Sequence, residues 1–216
     1  VQMHAIQTSG NCIRNITTDQ FVGIAPDEVI DPRAMAEIIR QWSTFHPEFA
    51  LLPRKFKIAV SGTKEDRAIV QAHDIGLEFY RDTNNQIAIK VWVGGGLGRT
   101  PILGTVIRDH LEWQHALTYC EAIIRVYNLH GRRDNIYKAR IKILVKALGI
   151  DEFRKQVEAE WLHLKDNENT ITAAELARVA KHFDAMPYET LPAQDASFEA
   201  AVASNPAFAA WVKRCV

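Results

Sequence analysis

The sequence predicts an α+β fold in which a mixed or antiparallel sheet packs against helices and a helical segment follows at the carboxyl end. Three observations support this. Segments rich in β-branched and aromatic residues lie between residues 55 and 93, and helical periodicity dominates after residue 112. After residue 166 the composition becomes rich in alanine and is punctuated by proline. We therefore expect two parts, residues 1–165 and residues 166–216.

Four strands are expected in the first part. Residues 1–7 alternate weakly, and the polar, turn-rich residues 8–20 predict a loop after them. Residues 55–61 alternate more clearly, so that their apolar side chains share one face of a strand. The apolar segments 75–81 and 86–93 flank the turn sequence Asp-Thr-Asn-Asn and therefore predict a hairpin.

Helices are expected between and after these strands. Asp31 and Pro32 begin the first one, because aspartate accepts hydrogen bonds from free N–H groups and proline is tolerated at the first helical position. His46 and Pro47 end it. After Pro101 the chain is expected to be helical. The remaining helices are predicted near residues 112–129, 134–148, 151–164, 172–184 and 196–214.

The overall composition excludes several classes of protein. The 216 residues include 26 Lys+Arg and 26 Asp+Glu, so the formal net charge is zero. This balance argues against a general affinity for nucleic acid. The sequence contains no run of 18 or more apolar residues, which argues against a membrane span.

The cysteines and the first residue indicate the setting of the chain. Cys12, Cys120 and Cys215 are far apart, which argues against a disulfide framework or a local metal knuckle and suits a reducing, cytoplasmic compartment. The sequence begins at Val1 without a signal-peptide pattern, and we expect a fragment of a longer protein.

A glycine-rich loop follows the predicted hairpin. It fits neither GxGxxG nor a Walker loop, since an arginine stands where each pattern needs another residue. It could be a flexible connection between a strand and a helix. Alternatively, it could lie against a large planar ligand, with its arginine and threonine available for anionic groups. The residues concerned are Gly94, Gly95, Gly96, Gly98, Arg99 and Thr100.

Two basic segments could also bind an anion. Lys55 and Lys57, which follow Arg54, lie on one face of a predicted strand, where two ammonium groups repel each other unless an anion lies between them. The alternative is a solvated strand face or an edge strand protected by lysine. Residues 125–146 hold seven basic residues and one acidic residue, so they form either a solvated surface or a site for a polyanion. In that segment we expect Lys138 and Lys142 to share a helix face.

Four ordered motifs resemble the sirohaem-dependent sulfite and nitrite reductase family, most closely the bacterial sulfite reductase haemoprotein (beta) component. The resemblance covers about residues 8–165, and the tail adds nothing to it. The motifs are Gly10-Asn11-Cys12-Ile13-Arg14-Asn15, Leu52-Pro53-Arg54-Lys55-Phe56-Lys57, Gly94-Gly95-Gly96-Leu97-Gly98-Arg99-Thr100 and Gly131-Arg132-Arg133-Asp134-Asn135.

The resemblance implies a fold, an activity and site residues. Residues 1–165 would be one of two pseudo-symmetric halves that enclose sirohaem, and residues 166–216 a helical extension. The family reduces sulfite to sulfide, or nitrite to ammonia, by six electrons, with sirohaem and a 4Fe–4S cluster as cofactors. Arg14, Lys55 and Lys57 match residues that hold the oxyanion and supply protons. The implied cofactor-binding residues are Asn15, Arg54, Gly94, Gly95, Gly96, Gly98, Arg99, Thr100, Arg132, Arg133, Asn135 and Lys138.

Two departures from the family pattern shape the expectation for this chain. The cluster of the family uses four cysteines, in C-x5-C and C-x3-C arrangements, and none of the three cysteines here has that spacing. A further arginine, in an N-terminal T-R-Q-like segment, is also missing. We therefore expect a central fragment of a sulfite reductase that is inactive alone.

The expected partners follow from the same resemblance. They are sulfite or nitrite, an electron donor (an NADPH flavoprotein or ferredoxin) and the C-terminal half of the same polypeptide. Nitrite reduction is the alternative within the family. The alternative outside it is a non-catalytic module that binds an anion or nucleic acid through residues 125–146.

Overall fold

A mixed sheet organises the first of the two units into which the chain divides, Val1–Asp184 and Ala185–Val216. The computed structural model describes residues 6–184 and 189–216. In the described part of the chain the sheet has five strands, which follow one another in sequence order. They are β1 (Ile13–Thr17), β2 (Phe56–Ser61), β3 (Ile75–Arg81), β4 (Ile87–Val93) and β5 (Thr105–Glu112).

The first three strands are parallel, and β4 and β5 are antiparallel to their neighbours. The predicted α+β fold with a mixed sheet is therefore confirmed, as is the predicted hairpin formed by β3 and β4.

Five helices among the described residues of the first unit share a core with one face of this sheet. Alternate strand residues and the apolar stripes of the helices form one continuous core, in which α2 is central because eleven of its fifteen residues are buried. The helices are α1 (Arg33–Thr44), α2 (Ala116–His130), α3 (Ile141–Leu148), α4 (Ile150–Leu164) and α5 (Ala173–Ala180).

The opposite face of the sheet is covered only in part. Ala59 of β2 forms a second, small cluster with Ala68 and Val70, and Trp92 of β4 packs against it. This cluster covers the carboxyl end of β2. The amino end of the same strand carries Lys57 on that face, directly after Phe56, which is fully buried in the main core.

Two strands differ from the sequence-based expectation. β1 lies within residues 8–20, which were expected to form a loop, and β5 lies after Pro101, where a helix was expected. Of the strand predicted at residues 1–7, residues 1–5 lie outside the described part, and residues 6–7 form a turn. Both β1 and β5 are edge strands whose polar side chains face outward, so their apolar alternation is weak.

The helix predicted over residues 134–148 also differs. It begins only at Ile141, after a short 3₁₀ turn over Ile136–Lys138. Lys138 and Lys142 therefore do not share a face of one helix, and that expectation was wrong. Gly131 and Gly149 stand at the C-caps of α2 and α3, where glycine is common.

The second unit consists, in its described residues, of α6 (Ala196–Ser204) and α7 (Pro206–Cys215). One continuous helix was expected here. Asn205 separates the two, because its side-chain oxygen accepts hydrogen bonds from the first N–H groups of α7 and Pro206 cannot continue α6. Phe208 stacks on Trp211 with 5.8 Å between the ring centroids.

None of the helices in residues 6–184 and 189–216 has both the length and the apolar character needed to cross a bilayer.

Candidate anion-binding site

The sheet topology brings the predicted motifs to one edge. Parallel strands begin at the same edge of a sheet, so the segments that open β1, β2 and β3 are neighbours. The pairing of Ile75 with Val93 in the antiparallel pair β3–β4 places the end of β4, and the glycine loop after it, at this edge as well. We call this region, formed by residues 10–15, 54–57, 74 and 94–100, the cationic edge.

Lys55 and Lys57 emerge from the cationic edge on the side away from the main core. Phe56 and Ile58 alternate with them and are fully buried. Asn15 of β1 lies opposite Lys57 in the register. Within the described residues, neither lysine ammonium group makes a hydrogen bond or an ion pair, so both are available to an anion.

Four cationic side chains act on Lys55. Partial burial lowers the pKa of Lys55, and the nearby charges of Arg14, Arg140, Lys57 and Arg54 lower it further. A bound anion would offset the repulsion between these positive charges. A lowered pKa also makes the ammonium group a better proton donor.

Arg14 and Lys57 line a groove of about 910 Å³ between β1 and α1. The Nε atom of Arg14 donates to the carbonyl oxygen of Gly10 at 3.0 Å, which fixes the side chain near the turn that opens β1. Two arginines of α1 also line the groove, but each is paired with a carboxylate of its own segment. Among the described residues, the cations of this groove that have no carboxylate partner are Arg14 and Lys57.

A buried carboxylate joins the segments of the cationic edge. Asp74 directly precedes β3 and has no solvent exposure. Its Oδ1 accepts from Nε and Nη2 of Arg140 at 3.0 and 2.7 Å, and its Oδ2 accepts from the backbone N–H of Lys57 at 2.9 Å. Its carbonyl oxygen accepts from the N–H of Gly94 at 3.0 Å. Burial raises the pKa of Asp74, whereas Arg140 and the Lys57 N–H oppose that rise.

The glycine loop has a packed half and an exposed half. Residues 94–96 are buried, and residues 97–100 are exposed. Gly95 is required by packing, because a Cβ atom there would lie 2.2 Å from the carbonyl oxygen of Gln71. Arg99 and Thr100 extend to solvent, as the interpretation of a ligand-facing loop requires.

Lys142 of α3 holds the exposed half in place. Its buried ammonium group donates to the carbonyl oxygen of Thr100 at 2.5 Å, and to those of Gly96 and Leu97 at 3.3 and 3.4 Å. Sequence reasoning placed Arg140 and Lys142 in the basic segment without predicting their contacts with Asp74 and the glycine loop, and it missed Asp74. The signal for Arg140 and Lys142 was their place in the basic segment. Asp74 gave no comparable signal, because the sequence shows only an acidic residue before an apolar segment.

The side chains of residues 132–138 have local partners. Arg132 pairs with Asp134, and Arg133 donates to the Asn128 side chain at 2.6 Å and to the carbonyl oxygen of Leu51 at 3.3 Å. The side chain of Asn135 caps the following 3₁₀ turn, and Lys138 is exposed. The structure thus places this segment against residues 51–53 rather than in the Asp74 network.

Arg125, at the start of the basic segment, belongs to another network. It pairs with Glu48, Glu121 and Glu160 at 2.8, 2.9 and 3.1 Å. Residues 125–146 are therefore not one continuous basic surface.

The cofactors implied by the resemblance fit these residues unequally. The unpaired cations of the cationic edge suit a polycarboxylate such as sirohaem. For a 4Fe–4S cluster the fit fails. Across residues 6–184 and 189–216 no three His, Cys, Asp or Glu side chains come together as a metal site, and the three cysteines are separate thiols.

Comparisons with known proteins identify the family to which the chain is similar. Residues 9–165 match the sequence profile described as "Nitrite and sulphite reductase 4Fe-4S domain". The chain is 34% identical over 164 residues to sulfite reductase (ferredoxin) 1 of Mycolicibacterium paratuberculosis, which covers 76% of this chain and 29% of the relative. It is 31% identical over 165 residues to a ferredoxin–nitrite reductase of Leptolyngbya laminosa, covering 74% and 32%.

A solved structure gives the same result. The structure of the Mycobacterium tuberculosis NirA protein matches with a TM-score of 0.65 and 31% identity, covering 72% of this chain and 28% of that one. The chain thus spans less than a third of the length of the curated relatives it matches. By its profile match over most of its length and its agreement in fold, the chain belongs to the nitrite and sulphite reductase family that is defined by the 4Fe-4S domain.

Proposed function

We propose that this chain supplies the oxyanion site and half of the sirohaem pocket of an enzyme that reduces sulfite to sulfide. One observation carries the proposal. At the cationic edge, the ammonium groups of Lys55 and Lys57 have no hydrogen-bonding or ionic partner among the described residues, although Arg14, Arg54 and Arg140 are close enough to act on Lys55. Such a cluster is unfavourable in the free protein and becomes favourable when an anion binds.

The side chains have separate tasks in the proposed reaction. Arg14 and the two lysines bind the oxygen atoms of sulfite and hold the anion in one orientation. Lys55, whose pKa is lowered, donates one of the two protons that a substrate oxygen needs to leave as water; solvent supplies the second and protonates the lysine again. Sirohaem, when bound, supplies the electrons for the reduction.

The remaining predicted residues would hold the cofactor. Arg54 and Asn15 lie at the cationic edge beside the lysines, and the exposed half of the glycine loop offers Arg99 and Thr100 to the carboxylates of the macrocycle. Arg132, Arg133, Asn135 and Lys138 would contact the periphery of the cofactor from the neighbouring segment. Gly94, Gly95, Gly96 and Gly98 shape the backbone that faces it.

The 216 residues alone would not turn over sulfite. Three cysteines in separate places cannot ligate a four-cysteine cluster, so the cluster ligands must come from residues outside this chain. The complete enzyme would also need a protein electron donor, either ferredoxin or an NADPH flavoprotein, and we expect it in the cytoplasm with residues 1–165 as the cofactor-binding part.

Nitrite is the second candidate substrate. The ferredoxin–nitrite reductase among the relatives matches this chain over nearly the same length as the sulfite reductase does. Either oxyanion suits the three cations. Comparing the kcat/KM of the complete enzyme on sulfite and on nitrite distinguishes the two, and a higher value on nitrite would reverse the assignment.

Sulfite binding by the 216-residue chain tests the proposal directly. Isothermal titration calorimetry of the chain and of Lys57→Ala, against a chloride control of equal ionic strength, gives the two dissociation constants. We expect the variant to bind about tenfold more weakly, because a charge-assisted hydrogen bond contributes roughly 1.5–3 kcal/mol. Lys155→Ala, an exposed lysine of α4, is the matched control. Equal affinity in the chain and both variants would refute the proposed site.

A further inference from the structure

Three segments of the cationic edge meet at the side chain and carbonyl group of one residue. The Asp74 carboxylate accepts two hydrogen bonds from Arg140 and one from the N–H of Lys57, and the Asp74 carbonyl oxygen accepts one from Gly94. These partners come from the lysine strand, the segment before α3 and the glycine loop. They lie 17, 66 and 20 residues from Asp74 along the chain, so the contacts fix tertiary geometry rather than local conformation.

A buried ionic group at this position costs stability. A carboxylate without solvent exposure loses its hydration, and the attraction to one arginine offsets that loss only in part. An apolar side chain before β3 would pack at a lower cost. The carboxylate is therefore better explained by the geometry that it imposes on its partners than by the stability it adds.

Among the partners of Asp74, Arg140 is the one whose side chain carries a charge that an anion could contact. Two of its N–H groups bind Asp74, and its other N–H groups make no hydrogen bond within the described residues. Its guanidinium group lies beside the glycine loop, since a Cβ atom on Gly96 would be 3.2 Å from Nη2. It also acts electrostatically on Lys55. Without Asp74, nothing in the described structure would anchor Arg140 at the cationic edge.

We propose that Asp74 is a positioning residue for the oxyanion site, which holds the Arg140 guanidinium group beside Lys55 and fixes the backbone from which Lys57 emerges. This inference rests on the proposed function, because it assigns the network to the binding of the same oxyanion. Asp74 does not touch the anion itself. It acts through Arg140 and through the start of β2.

A double-mutant cycle tests the proposal with sulfite as the probe and the 216-residue chain as the protein. Asp74→Asn keeps the shape of the side chain and the acceptor for the Lys57 N–H, but removes the charge that anchors Arg140. We expect Asp74→Asn and Arg140→Gln each to weaken sulfite binding about five- to tenfold by calorimetry. The double variant should bind no more weakly than the weaker single variant, because both changes remove the same positioned guanidinium group. Losses that multiply would overturn the inference.

A matched control separates positioning from a general loss of structure. Asp19 is also a buried carboxylate paired with one arginine, Arg67, at 2.7 Å, but it lies away from the cationic edge. Asp19→Asn should lower the melting temperature as Asp74→Asn does and leave the affinity for sulfite unchanged. An equal loss of affinity in both variants would show that Asp74 is only structural.

The outcomes distinguish failure of this inference from failure of the proposed function. Unchanged binding in Asp74→Asn together with weakened binding in Lys57→Ala would overturn the role of Asp74 alone. Unchanged binding in both would overturn the oxyanion site as a whole. If Asp74→Asn does not fold, Arg140→Gln and Arg140→Lys carry the test. We expect partial recovery in Arg140→Lys, which keeps the charge, and equal affinity in the two variants would refute the proposal.

Discussion

Lys142 shows how one buried cation can shape a loop made mostly of glycine. Its ammonium group donates to three carbonyl oxygens of residues 96–100, and burial lowers its pKa. Those carbonyl groups replace the lost hydration, so the charge remains tolerable.

We expect Lys142→Met to fill the same space and to release the exposed half of the loop. Amide hydrogen exchange at residues 97–100 should become faster by about tenfold or more, with a loss of roughly 1–3 kcal/mol in the free energy of unfolding. Lys146→Met, an exposed lysine of the same helix, is the control and should leave exchange in the loop unchanged. Equal exchange rates in the wild type and in Lys142→Met would show that the loop does not depend on this side chain.

Strand prediction succeeded where apolar residues alternate strongly and failed at the two edges of the sheet. β3 and β4 were predicted almost to their observed ends, because both are rich in β-branched and aromatic residues. β1 has only two apolar side chains, Ile13 and Ile16, and owes its extended form to its pairing with β2. In β5 the polar run Arg108-Asp109-His110 interrupts the alternation, and the pairing with β4 contains two irregularities.

Some residues of the candidate site could be predicted from the local sequence, whereas others come together only in the folded chain. Strand alternation predicted that Lys55 and Lys57 share one face, because both lie on one short segment, and the family resemblance gave them a role in binding the oxyanion. Asp74 and Arg140 meet across 66 residues of sequence, and their contact depends on parallel strand pairing that no local pattern records. Similarly, the sequence contained the basic segment, but only the fold separates Arg125, which binds three glutamates, from the residues near the site.

Substitutions are tolerated least in the packed half of the glycine loop, residues 94–96. A Cβ atom on Gly95 would lie 2.2 and 2.6 Å from the carbonyl oxygens of Gln71 and His73, which are backbone atoms and cannot rotate away. We expect Gly95→Ala to lower the free energy of unfolding by about 1–3 kcal/mol or more, as overpacking does, in a denaturant titration.

Gly98 is the comparison within the same loop. Its φ angle of 107° strains any other residue, but no atom lies within 4 Å of a Cβ placed there. Gly98→Ala should therefore cost about 1–2 kcal/mol from backbone strain alone and leave the packing of residues 94–96 intact. A larger loss in Gly98→Ala than in Gly95→Ala would contradict the division of the loop into a packed and an exposed half.

At the scale of the molecule, a net charge of zero conceals an uneven distribution. The cationic edge gathers arginine and lysine side chains at one end of the sheet, whereas Arg125 lies within a group of three glutamates on the helical side. A net charge of zero argues against a general polyanion-binding surface, but it cannot reveal a local group of cations. The local cations are what a small oxyanion or a polycarboxylate cofactor requires.

The positions of the three cysteines do not suit a 4Fe–4S cluster in this chain. Cys12 is half-buried at the cationic edge, and Cys215 is exposed in the second unit. Cys120 is enclosed in α2, where burial raises the pKa of its thiol to about 12 and so disfavours the thiolate that would ligate iron. We therefore expect that the 216-residue chain, incubated anaerobically with ferrous iron and sulfide, acquires no 4Fe–4S cluster.

The expected readout is the absence of both a broad visible absorption and a low-temperature electron paramagnetic resonance signal after reduction with dithionite. The same sample should still bind sulfite, which shows that the cationic edge is formed and that the failure is specific to the cluster. A stoichiometric cluster would contradict the assignment of its ligands to residues outside this chain. The result thus tests whether the cationic edge binds an anion without a cluster, because anion binding needs only side chains that these residues contain, whereas a cluster needs four cysteine ligands.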